Sequence, residues 1–181
     1  MRRHISESKL HQVDQGLSWS LRVRCVSSAQ ALRPAQDRPR RRMLLLNNDV
    51  LVGSGWLEDM VAALEQDAQI GMVGPVTNHI SGRQRIADIP CDDTPGFHKF
   101  AGRVREAHRG KLTPRRRIAG FAILMRKVLY DELGDLDEMY GSGNYEDDDL
   151  CLRVRARGYA VMVNGRAFAR GGRGAGLTGE P

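Results

Sequence analysis

From Met43 onward the chain alternates short apolar runs with amphipathic stretches. Met43 to Leu46 is an unbroken apolar run that suits a strand buried on both faces. After the Gly53-Ser54-Gly55 turn, Trp56, Leu57, Met60, Val61 and Leu64 share one helical face, and Glu58 and Asp59 fall in the first turn, where the helix dipole favours negative charge. Ile70 to Val73 predicts a second strand, broken by Gly74-Pro75, and the polar stretch from Thr77 to Ala87 predicts a loop. Thr94-Pro95 predicts an N-cap with proline at the first helical position, followed by Phe97, Phe100 and Val104 on one face. Gly120 to Leu124 predicts a strand, Lys127 to Leu133 a helix stopped by Gly134, Asp148 to Arg157 a helix stopped by Gly158, and Ala160 to Val163 a last strand. This alternation predicts an α/β layered domain with parallel pairing. Leu150, Cys151 and Val154 read as core.

Residues 1 to 42 show no sustained period, and Arg33-Pro34-Ala35-Gln36-Asp37-Arg38-Pro39-Arg40 reads as a linker or loosely packed arm. The expected organisation is an atypical, poorly ordered segment over 1–42, a folded α/β core over 43–168 and a Gly/Arg-rich tail over 169–181. A chain of 181 residues supports one domain, which would bury roughly 70% of its unfolded surface. Cys25, Cys91 and Cys151 are odd in number and widely spaced, so neither a disulfide framework nor a zinc site is expected, and a reducing cytoplasm is. The apolar runs are far shorter than the roughly 18 residues a bilayer span needs, and the N-terminus leads into polar residues, so no span or export signal is expected. The net charge of +6 concentrates in arginine clusters at Arg38 to Arg42 and Arg115 to Arg117. Such clusters suit a phosphorylated substrate, an anionic lipid or nucleic acid, but few aromatics stand beside them to stack bases.

Several familiar chemistries drop out by spacing. No glycine-rich stretch fits G-x-G-x-x-G or the P-loop pattern. An EF-hand starting at Asp135 would put Met139 at a ligand position and Tyr140 at the required glycine. Serine-hydrolase, zinc-protease and base-deaminase signatures do not occur.

Two acidic sites remain. Asn144-Tyr145-Glu146-Asp147-Asp148-Asp149-Leu150-Cys151-Leu152-Arg153 carries four consecutive acids into a helical pattern. Adjacent carboxylates repel, so a fold that keeps them together offsets the repulsion with a cation or a helix N-terminus, or uses them in chemistry. Asp49 in Leu46-Asn47-Asn48-Asp49-Val50 follows a strand end. Together they suggest a metal-assisted active site.

In order and spacing, Asn47-Asn48-Asp49, Gly55-Trp56-Leu57, Ile70 to Asn78 with Ser81-Gly82 and Gln84, Gly120 to Leu124, Leu136-Asp137-Glu138 and Tyr145 to Arg153 with Gly158-Tyr159 resemble the catalytic core of the family-two inverting nucleotide-sugar glycosyltransferases of the GT-A fold. The resemblance runs from about Met43 to about Phe168. It implies a Rossmann-like, mixed but mainly parallel sheet flanked by helices. It also implies transfer of a sugar from a nucleotide-diphosphate donor to an acceptor hydroxyl with inversion. Asp49 and Asn47 are then the ligands of Mg²⁺ or Mn²⁺. Asp147, with Glu146 before it, is the base, and Asn48, Asn78, Gln84, Gly120 and Arg153 line the donor and acceptor. The implied partners are a nucleotide-sugar and a saccharide or lipid-linked saccharide, as in cell-envelope polysaccharide synthesis. The implied place is the cytoplasm, with basic residues available for peripheral contact at the inner membrane face, and nucleic acid is not the expected partner.

The chain departs from that family at both ends. Residues 1 to 42 lack the family's N-terminal nucleotide-binding βαβ unit, so the fold is expected to be N-terminally incomplete. Where many members place a metal-binding histidine, this chain has Phe168-Ala169-Arg170-Gly171-Gly172-Arg173. Two alternatives stay open: an inactive remnant or binding module, and a basic nucleic-acid-binding protein.

Overall fold

The computed structural model describes residues 5–8, 21–26, 42–47, 49–78, 80, 84–86, 93–140 and 145–170. Within them the chain runs β1 (Ile5–Ser8), β2 (Leu21–Val26), β3 (Arg42–Asn47), β4 (Leu51–Val52), α1 (Trp56–Glu65), β5 (Ile70–Val76), α2 (Thr94–Ala107), β6 (Leu112–Arg115), β7 (Ala122–Arg126), α3 (Lys127–Leu133), a 3-10 turn (Glu138–Tyr140), α4 (Glu146–Ala156) and β8 (Ala160–Arg170). The strands form one sheet in the order β1-β2-β3-β7-β5-β8-β4, and β6 also pairs with β8.

Each central strand is apolar on successive residues because the sheet is covered on both faces. Met43, Leu45, Met72, Ile123 and Met125 point into one core with Phe97 and Ala101 of α2, Leu129 of α3 and Leu150 and Val154 of α4. Their neighbours Leu44, Val73, Ala122 and Leu124 point into the other, against Trp56, Met60 and Leu64 of α1. The period of two along a strand divides one apolar run between two cores.

The domain is α/β with a mixed sheet, but it is not mainly parallel. Among the described residues β2 pairs parallel with β3 and β5 with β8, whereas β1/β2, β3/β7, β4/β8, β5/β7 and β6/β8 are antiparallel. The cause is β7, which enters between β3 and β5 running against both, and β6, which folds back on β8. Two strands, β1 and β2, also lie within 1–42, where the sequence shows no period, and β2 matches β3 residue for residue from Leu21↔Arg42 to Val26↔Asn47. Residues 171–181 of the expected tail lie outside the described residues.

Gly74-Pro75 does not end β5, which continues to Val76. Pro75 lies past the last β5–β7 partners, Met72 and Val73, and at a register shift in which β8 advances from Asn164 to Phe168. A missing N–H is tolerated at such an irregularity, and the bulge adds twist that curls the sheet. The cap of α2 is Asp93, not Thr94. Its carboxylate accepts from Gly96 N at 3.3 Å, and proline is one position further in. β7 begins two residues later than the pattern suggests. α4 begins two residues earlier, which puts all four acids in its first turn.

Arginines tie element ends together. The Arg126 guanidinium donates to the carbonyls of Leu64, Asp67 and Ile70 at 2.9 Å each, capping α1 from β7 where α1 has no basic residue in its own last turn. Buried Asp59 of α1 pairs with Arg105 of α2 at 2.6 Å and Arg166 of β8 at 3.2 Å. Gly55, at φ +72°, leaves room for Arg105, whose Cζ would lie 2.7 Å from a Cβ there. No helix among the described residues is long and apolar enough to cross a membrane.

Two substitutions test this packing by chemical denaturation. Phe97 is fully buried against Phe168, with ring centroids 5.7 Å apart, so Phe97→Ala is expected to cost about 3–5 kcal/mol. Asp93→Ala removes the α2 cap and is expected to cost about 1 kcal/mol. Equal losses would contradict the assignment of Phe97 to the core and Asp93 to an exposed cap.

Candidate functional site

The site grows from three residues that join no β-ladder, Ile118, Ala119 and Gly120, just before β7. Buried or partly buried amides need acceptors, and here each N–H is met by a side chain from elsewhere. Ile118 N donates to Cys151 Sγ at 3.4 Å, Ala119 N to Gln84 Oε1 at 2.7 Å and Gly120 N to Asp147 Oδ2 at 2.7 Å. Asp147 and Cys151 stand one helical turn apart on α4 and so face the same strip of chain. Gln84 reaches it from the segment after β5, and its amide Nε2 donates to Pro75 O at 3.0 Å. Backbone bonds between Thr77 and both Gln84 and Ile86 hold that segment against the end of β5.

Asn47 closes the fourth side. It ends β3, and its N–H donates to Phe121 O at 2.9 Å. Because β7 is antiparallel to both β3 and β5, its start meets the carboxyl ends of both strands. Asn47, Gln84, Gly120 and Asp147 therefore gather at one edge of the sheet, the edge at which open α/β sheets form their ligand crevices.

Asp147 is held firmly. Besides Gly120 N on Oδ2, its Oδ1 accepts from Asp148 N at 2.9 Å. Gly120 suits this approach, since a Cβ there would lie 3.1 Å from Asp147 Cβ and 3.4 Å from Oδ2, a tight fit that Asp147 would have to yield to. Two backbone donors fix the carboxylate plane, and a carboxylate has about four acceptor positions, so others stay available. Tyr145 precedes the acids at φ 78°, the one non-glycine residue with positive φ among those described, and its side chain is exposed.

The other acids are placed differently. Asp148 pairs with Arg117 at 2.7 Å, and its carboxylate raises the Arg117 guanidinium above its ordinary value. Asp149 pairs with Arg153 at 2.8 Å. Arg153, expected to line the donor and acceptor, is turned to the end of α3, where it donates to Leu133 O at 2.9 Å and Asp135 O at 3.1 Å. Glu146 and Asn78 each bury an oxygen, Oε2 and Oδ1, without a hydrogen-bond partner among the described residues. Asp49 is exposed in the turn after β3. Asn48 and His79 lie outside the described residues.

Sequence reasoning missed Cys151 and Arg117 as parts of this edge. Cys151 had a usable signal, its spacing of four from Asp147. Arg117 had none, because its partner Asp148 is thirty-one positions away in sequence. Burial pushes the Cys151 thiol up to about 11, which makes it an inert sulfur acceptor and not a nucleophile.

The oxygens offered here are hard donors, suited to Mg²⁺ or Mn²⁺. Among the described residues no group of three or more His, Cys, Asp or Glu is arranged to hold a metal ion.

No known protein family matches the chain. The chain is similar to the uncharacterized protein y4gI of Sinorhizobium fredii (strain NBRC 101917 / NGR234), with 29% identity over 126 residues, 64% of this chain. It spans only 13% of the length of that relative.

Gln84→Leu strips partners from Ala119 N and Pro75 O at once. It is expected to cost about 2–3 kcal/mol in urea unfolding, and a loss under about 0.5 kcal/mol would contradict the tie. Cys151 supplies a pH test. Its folded pKa lies above the usual thiol value, so its contribution is complete below about pH 9 and is lost as pH rises toward about 11. The unfolding free energy of the wild type should therefore fall more steeply over that window than that of Cys151→Ala.

Proposed function

We propose that this edge is the donor and acceptor site of an inverting, metal-assisted glycosyltransferase of the GT-A type, which moves a sugar from a nucleotide-diphosphate donor to an acceptor hydroxyl. The observation that carries the proposal is the convergence of Asn47, Gln84, Gly120 and Asp147, from four separate stretches of sequence, on the carboxyl edge of β3 and β5. The support comes from these residues and not from strand direction, since the sheet has more antiparallel pairs than the resemblance implies.

In the proposed reaction Asp147 takes the proton of the acceptor hydroxyl as that oxygen attacks the anomeric carbon. The new carbon–oxygen bond forms as the bond to the diphosphate breaks on the opposite face, so the configuration inverts in one displacement. The bonds from Gly120 and Asp148 keep the carboxylate oriented without consuming all its lone pairs. The orphan acceptors Asn78 Oδ1 and Glu146 Oε2 suit the hydroxyl donors of a sugar. Asn47 and Asp49 would hold the cation, which when bound neutralises charge on the departing diphosphate. The acceptor is proposed to be a saccharide or lipid-linked saccharide, and the site to work at the cytoplasmic side.

A second reading draws on the same contacts. Asp147 bonded twice to backbone also suits a binding module with no turnover.

Asp147→Asn separates the two. Asparagine keeps its size and one of the two backbone bonds, so the expected result is a fall in transfer of about 10²- to 10⁴-fold with donor affinity nearly unchanged. Asp49→Asn is expected to weaken Mn²⁺-dependent donor binding instead. Binding lost equally in both variants, measured by calorimetry, would overturn this division of roles. Donor binding with no transfer by the wild type to any acceptor hydroxyl would favour the binding module.

A further inference from the structure

Four carboxylates stand side by side in the first turn of α4, and the proposed reaction needs one of them as base. Adjacent carboxylates repel one another, and each offers the same oxygens to a proton or a cation. The structure treats these four unequally. Asp149 is paired within α4, its Oδ2 accepting from Arg153 Nε at 2.8 Å. Asp148 is paired across elements, its Oδ2 accepting from Arg117 Nη1 at 2.7 Å. Among the described residues neither Glu146 nor Asp147 makes an ion pair. Guanidinium groups thus take two of the four carboxylates, and Glu146 buries one oxygen, Oε2, without a partner. Asp147 is left with both oxygens on backbone amides and no cation of its own.

Arg117 stands where it can act on Asp147 through Asp148. It precedes the strip Ile118 to Gly120, whose last N–H goes to Asp147 Oδ2, and its partner Asp148 gives the other N–H, to Oδ1. The contacts close a ring from Asp147 through Gly120 and the strip to Arg117, across to Asp148 and back to Asp147. The bond from Ile118 N to Cys151 Sγ ties the same strip to α4 one turn further on. The pairing with Asp148, and more weakly the charge of Asp147, raise the Arg117 guanidinium above its ordinary value. As an ion pair Arg117–Asp148 contributes little to stability, because the Arg117 side chain is 72% exposed and water screens it. Its consequence is local. Without the guanidinium, the Asp148 carboxylate would stand uncompensated beside Asp147, repel it and compete with it for the same backbone donors.

We infer that Arg117 is a positioning residue, which neutralises Asp148 and thereby leaves Asp147 as the carboxylate that serves as base. This assignment rests on the transferase reading for the proton that Asp147 takes, and goes beyond it in naming what selects Asp147 from its neighbours. Arg117 touches no reacting atom. Of two adjacent anions, one is held by a cation and the other is kept for a proton. Arg153 does the same for Asp149 from one turn along the helix.

Arg117→Gln in the full chain tests this. Its urea midpoint should match the wild type, since only an exposed pair is lost. Hydrogen exchange of the Gly120 amide, followed by NMR, should become several-fold faster, while that of Ala119, held by Gln84 Oε1, should not change. Turnover is read as Mn²⁺-dependent release of nucleoside diphosphate from UDP-, GDP- and dTDP-glucose, with water standing in for the acceptor hydroxyl. On a donor that the wild type cleaves, kcat should fall about ten- to a hundredfold with KM nearly unchanged. Adding Asp148→Asn to Arg117→Gln removes the unpaired anion, and should return Gly120 exchange and kcat to near the wild-type values. Arg155→Gln, an equal change of charge at an exposed position on α4, should leave all these readings unchanged. Unchanged Gly120 exchange in Arg117→Gln, equal acceleration of Ala119 and Gly120, a rise in KM in place of a fall in kcat, or no recovery in the double variant overturns the inference. Gly120 exchange needs no substrate, so it decides the inference even where none of the three donors is cleaved, an outcome that counts against the transferase reading alone.

Discussion

Three consecutive amide protons, on Ile118, Ala119 and Gly120, organise this structure. They belong to no ladder, and an unpaired amide buried there would cost about 1–3 kcal/mol each. The side chains that meet them come from the helix after the site and the loop before it: Cys151, Gln84 and Asp147. Satisfying this short strip therefore fixes the start of β7, the end of β5 and the first turn of α4 with respect to one another. The geometry proposed for chemistry is a consequence of a folding requirement, and this explains why Asp147 is rigid without a dedicated side-chain partner.

The same economy recurs at the ends of α1 and α3. Arg126 caps α1 from a strand and Arg153 caps α3 from α4, each reaching carbonyls that their own helices leave open. Asp59 joins α1, α2 and β8 through two arginines, and buried Asn164 adds a bond from β8 to Asp59 O at 2.7 Å. Several of the arginines that make the chain basic are thus structural. In the Arg115 to Arg117 run, Arg117 alone makes an ion pair among the described residues.

The sequence was most informative where burial on two faces forces a continuous apolar run. β3, α1, α3 and the apolar faces of α2 and α4 were legible from Met43 to Leu46, Trp56 to Leu64, Lys127 to Gly134 and the spacing of Phe97, Leu150 and Val154. Strand direction was not legible, because β7 carries no mark in its residues that it runs against β3 and β5. The continuation of β5 through Pro75 depended on a bulge made with β8, a partner some ninety residues away. β6, with Pro114 inside it and Arg115 at its end, has almost no strand signal and exists because β8 offers it an edge. In the site, Gly120, Gln84 and Asp147 were singled out by resemblance, and the physical reason they belong together is hydrogen bonding over sequence distance. The turning of Arg153 away from the acceptor and donor side was hidden for the same reason, since its carbonyl partners lie at the end of a different helix.

The claim on which the functional account stands is that the carboxyl edge of β3 and β5 binds a nucleoside diphosphate with a divalent cation. Calorimetric titration of the folded chain with UDP, GDP and dTDP, each with and without Mn²⁺, tests it most directly. The account predicts binding of one of these nucleotides that depends on the metal. Failure of all three to bind a chain shown to be folded, with Mn²⁺ present, would contradict it.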